Sequence, residues 1–214
     1  MRLPPLVALT VLSLAASGCG YRSLVQQDEG VRAAWSELAG ELQRRTDLVP
    51  NLMSAVQELT AHEAPAVRAV NEAQARALSM QHTPGLSGDA AALARLEAAE
   101  ADLSRALEAL LVIAGRYREI ESDPAFREFS SELATTQERL ARALAEYVDR
   151  VQRYNGAVQS FPSSLTARLL DLSVRPNLPS AAAAPVIPPV APGSPAPSAP
   201  YAAARPAAAA PSGI

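Results

Sequence analysis

"DPAFREFSSELATTQERLARALAEYVDRVQRYNGAVQSFP", Asp123 to Pro162, carries one seam at alternating spacings of three and four: Phe126, Phe129, Leu133, Thr136, Leu140, Ala143, Tyr147, Val151, Tyr154 and Val158. That period is helical, and it keeps one stripe turned to one partner surface over many turns. Asp123 suits the N-cap, and Pro124 suits the first helical position, where its missing N–H costs nothing. Phe161-Pro162 ends the segment, because the residue before a proline avoids the α region. About 36 helical residues make a rod of roughly 54 Å.

Working outward, the same spacing recurs in Leu24, Asp28, Val31, Trp35, Leu38, Leu42, Arg45, Val49, Leu52, Val56 and Leu59. It recurs again in Leu93, Leu96, Glu100, Leu103, Leu107, Leu110, Ala114 and Tyr117. Ala66, Val70, Ala73 and Ala77 continue it with small side chains that permit close approach. "MQHTPGLSGD", Met80 to Asp89, is an internal turn, with Pro84, Gly85 and Gly88 together. Strand alternation is absent, and 4 % aromatic content with abundant Ala and Leu favours helix. Long helices with short connections pack antiparallel, so the expected fold is all-α: an up-down bundle of three to four long helices.

The two ends are different in kind. "MRLPPLVALTVLSLAASGCG" places Arg2 before an apolar run, Leu6 to Ala16, that is too short for the roughly 20 residues of a membrane span. Residues 1–18 read as a signal peptide, and Ala16-Ser17-Gly18-Cys19 resembles a bacterial lipobox, with Cys19 as the lipidated residue. Cys19 is the sole cysteine, and acylation explains a lone thiol in an oxidising compartment. Gly20 rather than Asp follows it, and the resemblance to known sorting signals implies the outer rather than the inner membrane of a two-membrane cell. Residues 19–175 are the expected bundle, and 176–214 a disordered Pro/Ala-rich tail. Proline at that density removes donors and fixes φ, so the tail averages an extended spacer of up to about 120 Å, long enough to contact the cell wall.

Within the first rod, "QRRTDLVPN" breaks the regularity twice. Arg45 sits on the apolar seam, and Pro50 removes the bond to the Thr46 carbonyl at a cost of about 3 kcal/mol. The freed carbonyl needs a donor. Arg45 needs a partner in Asp47, Glu41 or a carboxylate on a facing helix, and Tyr154 and Asn155 could supply further hydrogen bonds. Two readings stand: a buried polar layer that sets helix register, or a partner-binding notch at a kink. The candidate residues are Arg44, Arg45, Asp47, Pro50, Asn51, His62, Glu63, Tyr154 and Asn155.

Enzyme signatures are not found in the sequence. His62-Glu63 opens like a zinc-protease box, but Ala66 stands where the second histidine is needed, so no metal or cofactor is expected. Acidic residues recur at helical spacing from arginines, as in Asp102 with Arg105 and Glu146 with Arg150, which reads as solvated helix surface. A net charge of -3 is too balanced for a nucleic-acid partner.

Gln43-Arg44-Arg45-Thr46-Asp47-Leu48-Val49-Pro50-Asn51-Leu52, then His62-Glu63, Asp123-Pro124-Ala125-Phe126, Tyr154-Asn155-Gly156-Ala157-Val158 and Phe161-Pro162-Ser163-Ser164-Leu165 together resemble the LemA family. The similarity spans roughly Tyr21 to Leu178. It implies a membrane-attached antiparallel helical bundle with no established enzymatic activity, here with a lipoprotein-like signal in place of a membrane-spanning N-terminus. The expected role is a lipid-tethered, periplasm-facing scaffold or adaptor of the bacterial envelope, anchored at Cys19 and binding an envelope protein. The alternatives are an envelope enzyme or metal-binding factor using the Arg45, Asp47, His62, Glu63 region, and a holdase for unfolded clients.

Overall fold

The structure, a computed structural model, describes residues 5–56 and 63–178, with side chains from residue 21 onward. The expected roles of Leu59, His62 and the tail beyond 178 lie outside the described residues, as does the side chain of Cys19. Six α-helices and no strand occur among the described residues: α1 Pro5–Ala55, α2 Ala64–Gln81, α3 Ala90–Ala114, α4 Arg118–Ser122, α5 Pro124–Gln159 and α6 Ser163–Leu169. Four of these are long rods, and the up-down bundle is the fold.

The local signals act as their chemistry requires. Asp123 caps α5 by accepting from the Ala125 N–H at 2.7 Å. Asp89 does the same for α3, accepting from Ala91 and Ala92 at 2.8 and 3.2 Å. The turn between α2 and α3 holds a single 3₁₀ turn, Leu86–Gly88, entered through Gly85 at φ 69, where a Cβ would be strained. α5 stops at Gln159, and the Phe161–Pro162 peptide bond that follows is cis. At the end of α6, Asp171 takes the left-handed conformation (φ 54), and the Leu172 N–H reaches back to the Ala167 carbonyl at 2.9 Å.

The longest packed pair is α1 with α5, and its register is antiparallel: Arg150 lies over Gly30, the Trp35 and Tyr147 rings stand 5.4 Å apart, and Arg45 meets Gln137. α2 and α3 form the second antiparallel pair, tied by Glu63 to Tyr117 at one end and by Gln81 to Glu100 near the other. Every described member of the four seams is buried or half-buried. The core falls into two clusters. One gathers Val31–Leu42, Leu86–Leu96 and Leu140–Tyr154; the other gathers Val49–Val56, α2, Leu103–Ala114 and Phe126–Leu133.

The packed chain continues past Arg175, where the sequence places the start of the tail. Leu178 is buried in the first cluster, so Pro176–Leu178 belong to the body. No helix among the described residues is long and apolar enough to cross a membrane.

Candidate functional site: a polar layer across the bundle

The gap between the two core clusters is polar, and it lies at the level of Arg45. Arg45 is 1 % exposed, the largest fully buried side chain among the described residues. Its guanidinium donates to Ser104 Oγ at 2.8 Å, to Gln137 Oε1 at 3.3 Å and to the Glu100 carbonyl at 3.3 Å, and it ion-pairs with the Glu100 carboxylate. α2 closes the layer: Gln81 Nε2 bridges Glu100 Oε1 at 2.8 Å and Thr46 Oγ1 at 3.1 Å. Four helices therefore meet through one charged pair. Burial holds the Arg45 guanidinium down to about 10, still protonated at neutral pH. The partner is Glu100, the facing carboxylate among the expected alternatives, and neither Asp47 nor Glu41.

Pro50 is answered in the same place. α1 continues through it to Ala55, and the Thr46 carbonyl that it orphans accepts from Gln74 Nε2 at 3.1 Å. Thr46 turns its own hydroxyl to the Leu42 carbonyl at 2.9 Å. An amide from α2 thus replaces the missing backbone donor of α1.

The other candidates do not join this layer. Arg44, Asp47, Pro50 and Asn51 are exposed on the outer side of α1, with Asp47 accepting from Gln43 at 2.7 Å and Arg44 3.9 Å from Glu41. Glu63 accepts from the Tyr117 hydroxyl at 3.1 Å at the far end of the α2–α3 pair; burial first, and then Glu63, push the Tyr117 pKa up. No cluster of three or more metal-ligating side chains occurs among the described residues.

Tyr154 and Asn155 likewise do not reach Arg45. They sit 17 and 18 residues along α5 from Gln137, about 26 Å at helical rise. What they hold instead is the strap that follows α6. Asn155 clamps the Arg175 backbone in both directions, donating to its carbonyl and accepting from its N–H, each at 2.8 Å. The Tyr154 hydroxyl donates to the Ser173 carbonyl at 3.1 Å, and its ring lies 5.6 Å under the Arg175 guanidinium. Arg175 donates to buried Asp28 at 2.8 and 2.5 Å, and Arg32 takes the second Asp28 oxygen at 2.8 Å. Burial, then Asp28, raise the Tyr154 pKa.

Two concave features flank these contacts. A small cavity of about 130 Å³ lies between α1, α3 and α5, walled by Leu38, Leu42, Leu96, Leu140, Leu144 and Leu178, with Arg45 and Glu100 also on its wall. A groove of about 870 Å³ runs along α2 and α3 over Ala66, Ala69, Ala73, Ala106 and Ala109, with Glu72, Arg76, Asp102, Arg105 and Arg116 among its lining. Small side chains leave that groove open, and the sequence reading passed over it.

Sequence reasoning also missed Gln74, Gln81, Ser104 and Gln137. The usable signal lay in the seams: Asp28, Arg45, Glu100 and Thr136 are polar residues at core positions, and each is a place where a partner had to be found.

Among known families, the model of the LemA family matches residues 34–190 of the chain. No curated protein matches it.

Proposed function

This chain belongs to the LemA family, and from that premise we propose that it is a non-enzymatic adaptor of the bacterial cell envelope, tethered by lipid on Cys19 and holding a protein partner on its outer faces. The observation that carries this reading is the α2–α3 groove. Its alanine floor accepts side chains from an incoming amphipathic helix, and its charged lining can select the register of that helix. The buried charges, by contrast, are occupied internally: Arg45 is bound by Glu100, Ser104 and Gln137 within the chain. An enzyme or metal-binding factor built on Arg45, Asp47, His62 and Glu63 has less support, because Arg45 faces the core and Asp47 faces outward. The lipobox-like Ala16-Ser17-Gly18-Cys19 supports the tether, and the Pro/Ala-rich run to Ile214 supports reach across the envelope.

The test has two parts. Blocking lipoprotein signal-peptide cleavage with a globomycin-type inhibitor should leave a larger precursor that keeps residues 1–18, and unchanged mobility would overturn the tether. Photo-crosslinkers at Ala109 should give one discrete protein adduct in cells, abolished by Ala69→Arg across the groove and untouched by Asn51→Arg on α1. Equal loss with both substitutions would overturn the groove as the docking face.

A further inference from the structure

Among the described residues, six large apolar side chains are strongly exposed: Tyr21, Val112, Phe161, Leu165, Leu169 and Val174. Five of them lie on or next to α6 or at the first described side chain of α1. The antiparallel register of α1 and α5 brings those places together, since Arg150 lies over Gly30 and the chain has only nine more residues of α5 to run. α6 is inverted for a surface helix. Its small residue, Ala167, is buried, while Leu165 and Leu169 are 59 % and 85 % exposed, and Phe161 just before it is 82 % exposed. Leu165 and Leu169 share one face at i, i+4, and each stands about 200° round the helix from Ala167. A single exposed leucine needs no explanation; an apolar face this bare on one end of a rod marks an interaction surface.

We propose that Phe161, Leu165 and Leu169 form an interfacial foot that enters the headgroup layer of the bilayer. This rests on the reading above that Cys19 tethers the chain. The position argues for lipid as the occupant. Cys19 precedes Tyr21 by two residues, about 3 Å of helical rise, so acyl chains on Cys19 would place this end of the bundle at the membrane surface. Tyr21, 48 % exposed, has the amphipathic ring that favours that depth. Arg22 and Arg168 are exposed nearby and can meet lipid phosphates, while Asp171 is the only acidic residue between Val151 and Leu178. A short apolar face laid flat reaches about 5–10 Å into the headgroup boundary. One lipid-modified residue with flanking apolar contacts gives two attachments, which fixes the direction in which the rods and their groove leave the membrane.

The experiment uses the full lipidated chain in vesicles of phosphatidylethanolamine and phosphatidylglycerol whose acyl chains carry bromine. Leu165→Cys, Leu169→Cys and, as the far-end control, Val112→Cys are labelled with bimane; all three positions are exposed, so folding is spared. Flotation of the vesicles reports the tether. Bimane quenching reports the foot. The expected result is co-flotation of all three proteins, loss of bimane emission at 165 and 169, and unchanged emission at 112. Co-flotation with no loss at 165 or 169 overturns the foot and leaves the tether standing. Protein left at the bottom of the gradient overturns the tether and the foot with it. A disulfide formed between copies through Leu165→Cys before labelling assigns the face to a second copy and also overturns the proposal.

Discussion

The side-chain amide of Gln74 donates to the Thr46 carbonyl at 3.1 Å, the acceptor that Pro50 leaves without its helical partner. A defect in one helix is repaired from another, so the two residues are energetically coupled. Gln74→Leu should destabilise the protein by about 1–3 kcal/mol, the cost of a buried acceptor left unmet. In a Pro50→Ala background the restored N–H can serve Thr46, and the same Gln74→Leu substitution should cost much less. Urea unfolding of the four proteins measures the coupling; additive losses would show that Gln74 acts elsewhere.

Arg45 and Glu100 should behave as a pair. Arg45→Leu alone strands the Glu100 carboxylate, which is only 12 % exposed, and should cost about 3–5 kcal/mol. Arg45→Leu with Glu100→Leu removes both charges beside an existing apolar cavity, and should recover most of that loss. A double variant as unstable as the sum of the singles would argue that Ser104, Gln137 and Gln81 depend on the pair for their own order.

Asn155→Ala should release the strap without loosening the rods. Two hydrogen bonds to the Arg175 backbone are lost, a net effect of about 1–3 kcal/mol, confined to residues 173–178. Hydrogen exchange at the Arg175 amide should accelerate while amides beside Arg45 stay protected. Equal acceleration at both places would mean that strap and bundle unfold as one unit.

Alkaline pH should act through the buried tyrosines. Burial raises the pKa of Tyr147 and Tyr154 above the ordinary 10.0, so the folded chain holds those protons more tightly than the unfolded chain. Their contribution is full below pH 10 and is lost as pH climbs through the raised folded values. Arg45, lowered to about 10, has the opposite sign, since above that pH the unfolded chain binds the extra proton. Tyr147→Phe separates the two. The Tyr147 hydroxyl is buried with no hydrogen-bond partner among the described residues, so its removal should cost little at neutral pH and flatten the alkaline fall. Denaturant melts at pH 7, 9 and 10.5 read both effects. An unchanged alkaline slope would place that loss in Tyr154 or another group.

The rods, their caps and their buried stripes were legible in the sequence because they rest on local rules. A period of three and four residues, Asp123 before Pro124, and a proline after Phe161 act within a turn or two of themselves. The seams from Leu24, Leu93 and Phe126 hold residue for residue wherever the chain is described. Even the polar layer announced itself, since a charge at Arg45 and another at Glu100 interrupt stripes that are otherwise apolar.

Pairings across the bundle were decided elsewhere. Whether Arg45 would find Asp47, Glu41 or Glu100 depended on which helix faced which, and at what height. Asp47 lies on the opposite side of α1 from Arg45, and only the packing of α3 brings Glu100 within reach. Gln74 lies 28 residues from the carbonyl it serves, and Arg175 lies 147 residues from Asp28. Tyr154 and Asn155 looked like partners for Arg45, but antiparallel register sets them about 26 Å away, beside a strap whose path no periodicity records. Helical period tells each residue which way to face; the angle and offset between rods, which choose its partner, arise from all the contacts at once.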